Sequence, residues 1–417
     1  MVCFQCHATK DAIREEPYLP GDSLEDFFSL KLPLFSDAFT VDGRVHNFGY
    51  QSTHLFSDCY LEGSMTCVDC HDPHSQGYRD TSGKALAGKF DNGQCTSCHA
   101  SKALSPELHS HHKTDSPGNL CTSCHMPFLQ HQGIGQRLVF ARSDHGIPIP
   151  RPGFDEQMGI ENTCQKCHRD KDLSWQQGRM KEWYGQIKPH HQMIGNLLKA
   201  ADTTDPQAAE NLLLDPKARH PMAQMNGLLG FCKRYLRPNM EREDPDVIAK
   251  LKEFARSDDL DLKAMALMAL DIGYGQNGHL QNYLTTQLQA LGPEEGAVRD
   301  RWGIAADYFG NAYAANGDAQ NAIVCFKKSL QAKPDNVVTM SHLALTSLRS
   351  GDVESAMTWL KNGIKLRPSK AVLHFQLAQT YAQTGRTAEA IGELEAGLQF
   401  APEDQMAKRM IQQLRGL

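Results

Sequence analysis

The stretch from Cys67 to His125 determines how the first half of this chain folds. One five-residue pattern occurs three times in it and twice outside it: CVDCH at 67–71, CTSCH at 95–99, CTSCH at 121–125, CFQCH at 3–7 and CQKCH at 164–168. C-x-x-C-H is the attachment signature of c-type haem. Its two thiols form thioethers with the porphyrin, and its histidine becomes an axial ligand of the iron. We therefore expect five covalently bound haems c.

The five motifs define the predicted cofactor-binding residues, and their histidines are the predicted proximal iron ligands. These residues are Cys3, Cys6, His7, Cys67, Cys70, His71, Cys95, Cys98, His99, Cys121, Cys124, His125, Cys164, Cys167 and His168. Structural zinc is the alternative, since paired C-x-x-C units also bind zinc. A zinc ribbon takes two such pairs per metal, so five pairs leave one over. Zinc also gives no reason for a histidine directly after every second cysteine, and we favour haem.

The sixth coordination position of each iron distinguishes an electron relay from an enzyme. A protein ligand at that position excludes substrate, whereas an open position admits it. Ten histidines outside the motifs precede residue 192, which is enough for five bis-histidine haems. The candidate distal ligands are His74, His109, His112, His145 and His54; His54 and His131 are weaker choices than the others, and His46 is weaker again. Met65 and Met126 could also bind iron through sulfur, but packing is the commoner role of methionine and the one we prefer.

Charge and length exclude some classes of protein. The formal net charge of −6 gives no basic surface for nucleic acid. No apolar run is long enough to cross a membrane, and no export signal precedes the motif at Cys3. Because covalent haem attachment takes place outside the cytoplasm, we expect a periplasmic or extracellular protein whose sequence here is truncated, processed or begun at a misplaced start.

Cys59, Cys232 and Cys325 lie outside the motifs, and the last two are interpreted as buried apolar residues.

The amino-acid composition and the apolar periodicity of the sequence change near residue 190. Residues 1–190 are rich in Gly, Pro, His, Ser and Asp and poor in helical periodicity, so we predict a loop-rich domain with haem as its core. Residues 191–297 show the 3.6-residue apolar period of amphipathic helices and are interpreted as a HEAT-like helical adaptor. Met265 and Met268 lie in this region and are expected to pack in its core. The predicted fold class is therefore mainly α.

A 34-residue repeat marks residues 298–417. Its matching positions are Pro334, Pro368 and Pro402; Ala322, Ala356 and Ala390; Gly310, Ala344 and Ala378; Phe326, Leu360 and Leu394; and Tyr313 with Tyr381. This is the tetratricopeptide (TPR) pattern, in which small residues lie where two helices cross closely. It predicts three repeats over 303–404 followed by a capping helix. The repeats either dock a redox partner or a second copy, or serve as a scaffold without a ligand.

A family resemblance rests on motifs spread in order over residues 1–185. YLPGD, TCVDCHDPHS, HSHHKTDSPGNLCTSCHMP, DHGIPIPRP, NTCQKCHRD and EWYG resemble the periplasmic multihaem c-type cytochromes that carry a C-terminal TPR tail. The resemblance implies that His74, the cluster 109–112 and His145 are distal ligands, and that an export signal and further haem motifs lie upstream. His131 stands where the family has tyrosine, and the chain contains no C-x-x-C-K motif of the kind that marks many ammonia-forming nitrite reductases.

Three functions follow from these observations. The first is an electron carrier that relays electrons through five mostly bis-histidine haems to redox partner proteins, with the tail used for docking or oligomerisation. The second is a multihaem reductase of a small nitrogen or sulfur oxyanion with one open haem. The third is a subunit of an extracellular cytochrome filament. Surplus histidines favour the first of these, which is not an enzyme.

Overall fold

The computed structural model of the chain describes residues 3–14, 16–35, 39–44, 51–128, 143–241 and 244–416. Its contacts divide the chain into two compact units, Met1–Gly227 and Leu228–Leu417. The prediction of a mainly α-helical chain is confirmed. The strands found among the described residues are β1 (Asp11–Ala12) and β2 (Phe28–Ser29), paired antiparallel with Asp11 opposite Ser29. The division into domains at residues 190 and 297 stays a prediction.

The first unit is built mainly from short helices. Its helices are α1 (Phe4–His7), α2 (Leu24–Phe27), α3 (Asp58–Leu61), α4 (Gly93–Thr96), α5 (Ala100–Ala103), α6 (Pro106–Ser110), α7 (Cys121–His125), α8 (Pro152–Gln157), α9 (Leu173–Tyr184), α10 (Gln192–Asp202) and α11 (Pro206–Leu213). Single 3₁₀ turns cover Leu32–Phe35, Gln51–Phe56, Cys67–Asp69 and Pro117–Asn119. Frequent Gly and Pro prevent longer helices in this part of the chain.

The middle of the first unit has almost no apolar protein core. Between residues 58 and 151, the buried residues among those described are Asn119, Pro127 and Asp144. Leu104 and Leu108 are instead 90% and 74% exposed. Side-chain burial therefore contributes little to stability where the C-x-x-C-H motifs are densest.

A buried ionic group joins distant parts of the first unit. The guanidinium of Arg44 lies 2.9 Å from Asp42 and 2.8 Å from Asp155, and all three side chains are under 10% exposed. The carboxyl of Asp144 is buried beside this group and accepts the amide of Gly146 at 2.7 Å. Burial raises the pKa of Asp144 to about 7, against the attraction of Arg44. This group holds the turn that presents His145.

Longer helices follow. They are α12 (Pro221–Arg234), α13 (Pro245–Phe254), α14 (Leu260–Tyr274), α15 (Gly278–Ala290), α16 (Glu295–Ala315), α17 (Ala319–Ala332), α18 (Val337–Arg349), α19 (Val353–Leu366), α20 (Ala371–Gln383), α21 (Thr387–Leu398) and α22 (Gln405–Leu414). Nearly all of α14 is buried, and Met265 and Met268 are fully buried in it. They pack as expected. Among the residues described, no helix is long and apolar enough to span a bilayer.

Helices α16 to α21 form three consecutive pairs, and α22 follows the last of them. Each repeat position predicted to be small is buried at the crossing of a pair: a Cβ added to Gly310 would lie 2.5 Å from the ring of Phe326. Asp318 and Asp352, also one repeat apart, each accept an amide hydrogen bond at the start of the second helix of a pair. The repeat positions named above therefore lie at equivalent places in successive helix pairs.

Candidate haem-ligand site

Each C-x-x-C-H motif forms one turn of helix. The amide of the motif histidine donates to the carbonyl of the first motif cysteine: His7 to Cys3 at 3.0 Å, His71 to Cys67 at 2.9 Å, His99 to Cys95 at 2.9 Å and His168 to Cys164 at 2.8 Å. The fifth motif is helix α7 itself. Positions i, i+3 and i+4 of a helix share one face, so two thiols and one imidazole point to the same side.

Three motif histidines lie opposite histidines from outside the motifs. The ring centres of His71 and His145 are 6.3 Å apart and their planes differ by 21°. His125 and His109 are 6.2 Å apart with nearly parallel rings, at 6°. The rings of His168 and His112 are 6.0 Å apart and tilted by 40°. The ring centres of the three pairs are thus 6.0 to 6.3 Å apart.

Backbone carbonyls fix the tautomer of three of these six histidines. The Nδ1 atoms of His125, His145 and His112 lie 3.0, 3.0 and 2.6 Å from the carbonyls of Pro148, Ser143 and Ser110. A carbonyl only accepts, so Nδ1–H is the donor and Nε2 keeps its lone pair. Metal-binding histidines are usually held in this way by their second nitrogen.

Burial favours the uncharged form of four of the paired imidazoles. It lowers the pKa of His71, His109 and His125, and lowers that of His145 to about 4. Hydrogen bonds to Pro148 and Ser143 oppose the effect at His125 and His145 without reversing it. An uncharged imidazole with a free Nε2 is the form that binds a metal.

The other candidate ligands have different surroundings. His54 is buried, its Nε2 lies 2.8 Å from the carbonyl of Met65, and its ring packs against Tyr60. His74 is exposed, and its backbone amide binds Asp72. Neither is paired with a motif histidine among the residues that the structure describes. His46 and His131 lie outside those residues, so the partners of His7 and His99 stay open. Met126 is half-buried directly after His125.

Aromatic side chains of helix α9 support the paired histidines, and the sequence analysis did not identify them. Tyr184 donates from its hydroxyl to the carbonyl of His109 at 2.5 Å. Trp183 stacks on His111 with ring centres 4.7 Å apart, and Trp175 lies 5.2 Å from His168. His111 adopts a left-handed conformation with φ 55°, so its ring turns away to Trp183. The sequence feature that could have identified Trp183 and Tyr184 is the EWYG motif, which contains both.

Cysteines of different motifs lie side by side. The thiols of Cys95 and Cys121 are hydrogen-bonded, which lowers the pKa of Cys121 to about 7. The thiols of Cys3 and Cys67 are likewise hydrogen-bonded to each other. None of the cysteines forms a disulfide, and Cys232 and Cys325 are buried, as interpreted from the sequence.

No three His, Cys, Asp or Glu side chains converge on one metal position within the described ranges. Each histidine pair described above brings together two imidazoles.

Comparisons with known proteins match limited parts of the chain. A family model described as anaphase-promoting complex, cyclosome, subunit 3 matches residues 315–397. Dissimilatory sulfite reductase MccA of Wolinella succinogenes is 29% identical over 98 residues, which is 19% of this chain. The chain spans 13% of the length of that curated relative.

Solved structures similar to the chain include the first TPR of Spaghetti (RPAP3) bound to an HSP90 peptide. That structure is 20% identical, with a TM-score of 0.27, and the match covers 27% of this chain and 90% of that one. The TPR protein YrrB is 17% identical, with a TM-score of 0.25, and covers 37% of this chain and 84% of its own. Likenesses this weak indicate nothing about a ligand. The family model, the 34-residue repeat and the paired helices together identify TPR-type repeats in the C-terminal part.

Proposed function

We propose that the chain is a multihaem c-type cytochrome that relays electrons through five haems c bound at its C-x-x-C-H motifs. The three histidine pairs carry this proposal. Two metal–nitrogen bonds of about 2.0 Å and two ring radii of about 1.1 Å would separate the centres of axial imidazoles by about 6.2 Å. The observed separations are 6.0 to 6.3 Å. His71 with His145, His125 with His109, and His168 with His112 would hold three irons.

The chemistry that such a group supplies is one-electron transfer at iron, and the protein sets its ligands. Two histidines on one iron leave no position for a substrate, which favours a carrier over an enzyme at these three sites. Nδ1 hydrogen bonds to Pro148, Ser143 and Ser110 would orient the ligands.

The absence of a protein core around the described motif residues supports the same proposal. Leu104 and Leu108 are exposed where a large flat apolar body would cover them. A porphyrin at each motif would supply the apolar surface that residues 58–151 do not bury among themselves. Because covalent attachment of this kind takes place outside the cytoplasm, we propose a periplasmic or extracellular location.

The TPR-type repeats suggest a role in protein–protein contact. We propose that they dock a redox partner or a second copy of the chain. Three exposed apolar side chains recur there at the 34-residue interval: Val338, Val372 and Met406, exposed by 54%, 55% and 74%. An aligned apolar row on a repeat array is suited to one extended partner. Assembly of copies into a filament is a further form of the same proposal.

A reductase is the second candidate. It is favoured by the 29% identity over 98 residues to a dissimilatory sulfite reductase. It requires one iron with an open position, and the motif histidines without a described partner, His7 and His99, are where such a position would lie. The substrate class would be a small sulfur or nitrogen oxyanion.

Absorption spectroscopy of the matured protein separates the two candidates. Pyridine haemochrome analysis should give five covalently bound haems per chain, and mass spectrometry should find all five on the motif peptides. For a relay, we expect an entirely low-spin spectrum that cyanide and carbon monoxide leave unchanged. A high-spin fraction that binds either ligand would favour the reductase, and a chain without a Soret band would refute both.

A further inference from the structure

A large cavity in the first unit lies among residues that belong to none of the five motifs. Its volume is 1270 Å³, and its walls come from the segment 151–154, from α9 and from the segment 185–199. Phe154, Met180, Ile187 and Leu198 make much of this surface apolar. Pockets for drug-sized ligands measure about 300–1,000 Å³, so a single oxyanion would leave this one almost empty.

The charged residues that line the cavity are all basic. They are Arg151, Lys181, Lys188 and Lys199, and no acidic residue is among the described residues that line it. Lys188 is paired with Asp58 at 2.7 Å. Arg151 is half-buried and donates to the carbonyls of Ile149 and Lys188 at 3.2 and 2.7 Å. Burial lowers the pKa of Arg151, which is the expected state of a cation that lacks an anion close enough to offset desolvation.

One imidazole lines the same cavity. His190 packs edge-on against Phe154 with ring centres 4.6 Å apart. Burial, and then the charge of Arg151, lowers the pKa of His190 to about 4. The ring is therefore uncharged at neutral pH and has a lone pair to give to a metal.

Two glycines leave the wall of the cavity open. Gly185 and Gly195 both line it, and a Cβ added to either would meet nothing within 4 Å. Gly195 lies inside helix α10, where glycine costs about 1 kcal/mol relative to alanine. A flat ligand could approach the backbone closely at these two positions.

We propose that this cavity binds an iron porphyrin without a covalent bond, with His190 as a ligand of the iron and with Arg151, Lys181 and Lys199 beside the carboxylates. The chemistry matches in three respects: an apolar wall for the ring, cations for the acidic groups and an uncharged imidazole for the metal. No cysteine is among the described residues that line the cavity, so no thioether would hold this group. The proposal does not depend on the five motifs carrying haem.

Haemin titration of the matured full-length protein tests the proposal. We expect saturable uptake of one equivalent, and acid–acetone should extract that equivalent while the covalently bound haem stays with the protein. His190→Ala should abolish the spectrum of a histidine-ligated iron in the added haem and leave one that resembles free haemin. Arg151→Gln combined with Lys181→Gln and Lys199→Gln should weaken uptake at least tenfold.

A matched pair of variants controls for folding. Gly195→Phe places a ring in the cavity, and we expect at least tenfold weaker uptake. Gly178→Phe adds the same ring to helix α9 at an exposed position that does not line the cavity, and a Cβ there also meets nothing within 4 Å. Its uptake should equal that of the unaltered protein. Absence of saturable uptake by the unaltered protein, or equal uptake by the two variants, would overturn the proposal.

Discussion

Arg44 and Asp155, far apart in the sequence, form a buried ion pair in which a terminal guanidinium nitrogen lies 2.8 Å from Oδ1 of the carboxylate. Arg44 is 4% exposed and also contacts Asp42 at 2.9 Å. Removing one partner of such a pair leaves a buried charge without compensation. The first unit thus depends on one cation to hold two carboxylates inside it.

We expect Arg44→Ala to lower the free energy of unfolding by about 3–5 kcal/mol, because Asp42 and Asp155 would lose their counter-charge. Chemical denaturation followed by circular dichroism measures this loss. Arg179 forms an exposed pair with Glu182 and is the control. Arg179→Gln should change stability by about 1 kcal/mol or less. Equal effects of the two substitutions would contradict the role given to Arg44.

We predict that His145→Ala converts one low-spin iron of the matured protein to high spin, because His71 would lose its opposite ligand. His145→Met should keep that iron low-spin and raise its reduction potential, since a Met/His ligand pair favours the reduced state. Electron paramagnetic resonance and a redox titration measure both effects.

The control for this prediction is His74→Ala, which removes an exposed imidazole. It should leave the spectrum unchanged. If His74→Ala produced the high-spin iron and His145→Ala did not, the pairing of His145 with His71 would be wrong.

His220 should make the first unit less stable in acid. The ring is fully buried, its Nδ1 accepts the amide of Ala223 at 3.1 Å, and burial lowers its pKa to about 4. The unfolded chain takes up the proton near pH 6.5, but the folded chain does so only near pH 4. This contribution is therefore complete above pH 6.5 and is lost as pH falls toward 4, by about 1.4 kcal/mol per pH unit.

His220→Asn tests this pH dependence. Asparagine retains an acceptor for the amide of Ala223 at the start of helix α12 but does not titrate. Denaturation series at pH 7.5, 6, 5 and 4 should show a shallower loss of stability in the variant. Parallel curves for the two proteins would show that His220 does not contribute.

Gly310→Ala should destabilise the repeat region by about 1–3 kcal/mol, because the new Cβ would lie 2.5 Å from the ring of Phe326. Gly296 lies in the same helix, α16, and a Cβ added there meets nothing within 4 Å. Gly296→Ala should therefore stabilise the helix, by up to about 1 kcal/mol. Thermal unfolding measures both, and a loss of the same size at both positions would refute close packing at Gly310.

The exposed apolar row of the repeats gives a prediction about assembly. Replacing Val338, Val372 and Met406 together by Asp should leave the helices intact but abolish self-association, because charge replaces the apolar contact. Light scattering over a range of concentrations measures this, with Thr358→Asp, an exposed position on helix α19, as the control. An unaltered protein that stays monomeric throughout would rule out docking of a second copy at this row.

The sequence predicts the local features well and the distant pairings poorly. The spacing of Pro334, Pro368 and Pro402 fixes the repeat register, because each repeat contacts mainly its neighbours. The spacing within C-x-x-C-H likewise places three side chains on one face of a single turn. Both are properties of short segments.

The pairing of a distant histidine with a motif histidine is not a property of one short segment. His145 meets His71 only after a long stretch of intervening chain, and the turn that carries it is held by Arg44, Asp144 and Asp155. The sequence ranks His74 beside His145 as a ligand; the structure describes His74 as exposed, and its ligand role stays a prediction. The buried charges that hold this turn do not recur at a helical or strand period. Sequence periodicity therefore could not predict where the turn lies.

The contact between Cys95 and Cys121 has a consequence for how such a protein is made. The hydrogen bond from the Cys95 thiol lowers the pKa of Cys121, which favours a thiolate at Cys121 beside a second thiol. An oxidant that reached the bare polypeptide would join the two sulfurs in a bridge between motifs. In the proposed cytochrome, neither cysteine could then accept a vinyl group of haem, so both thiols would have to be kept reduced until haem is attached.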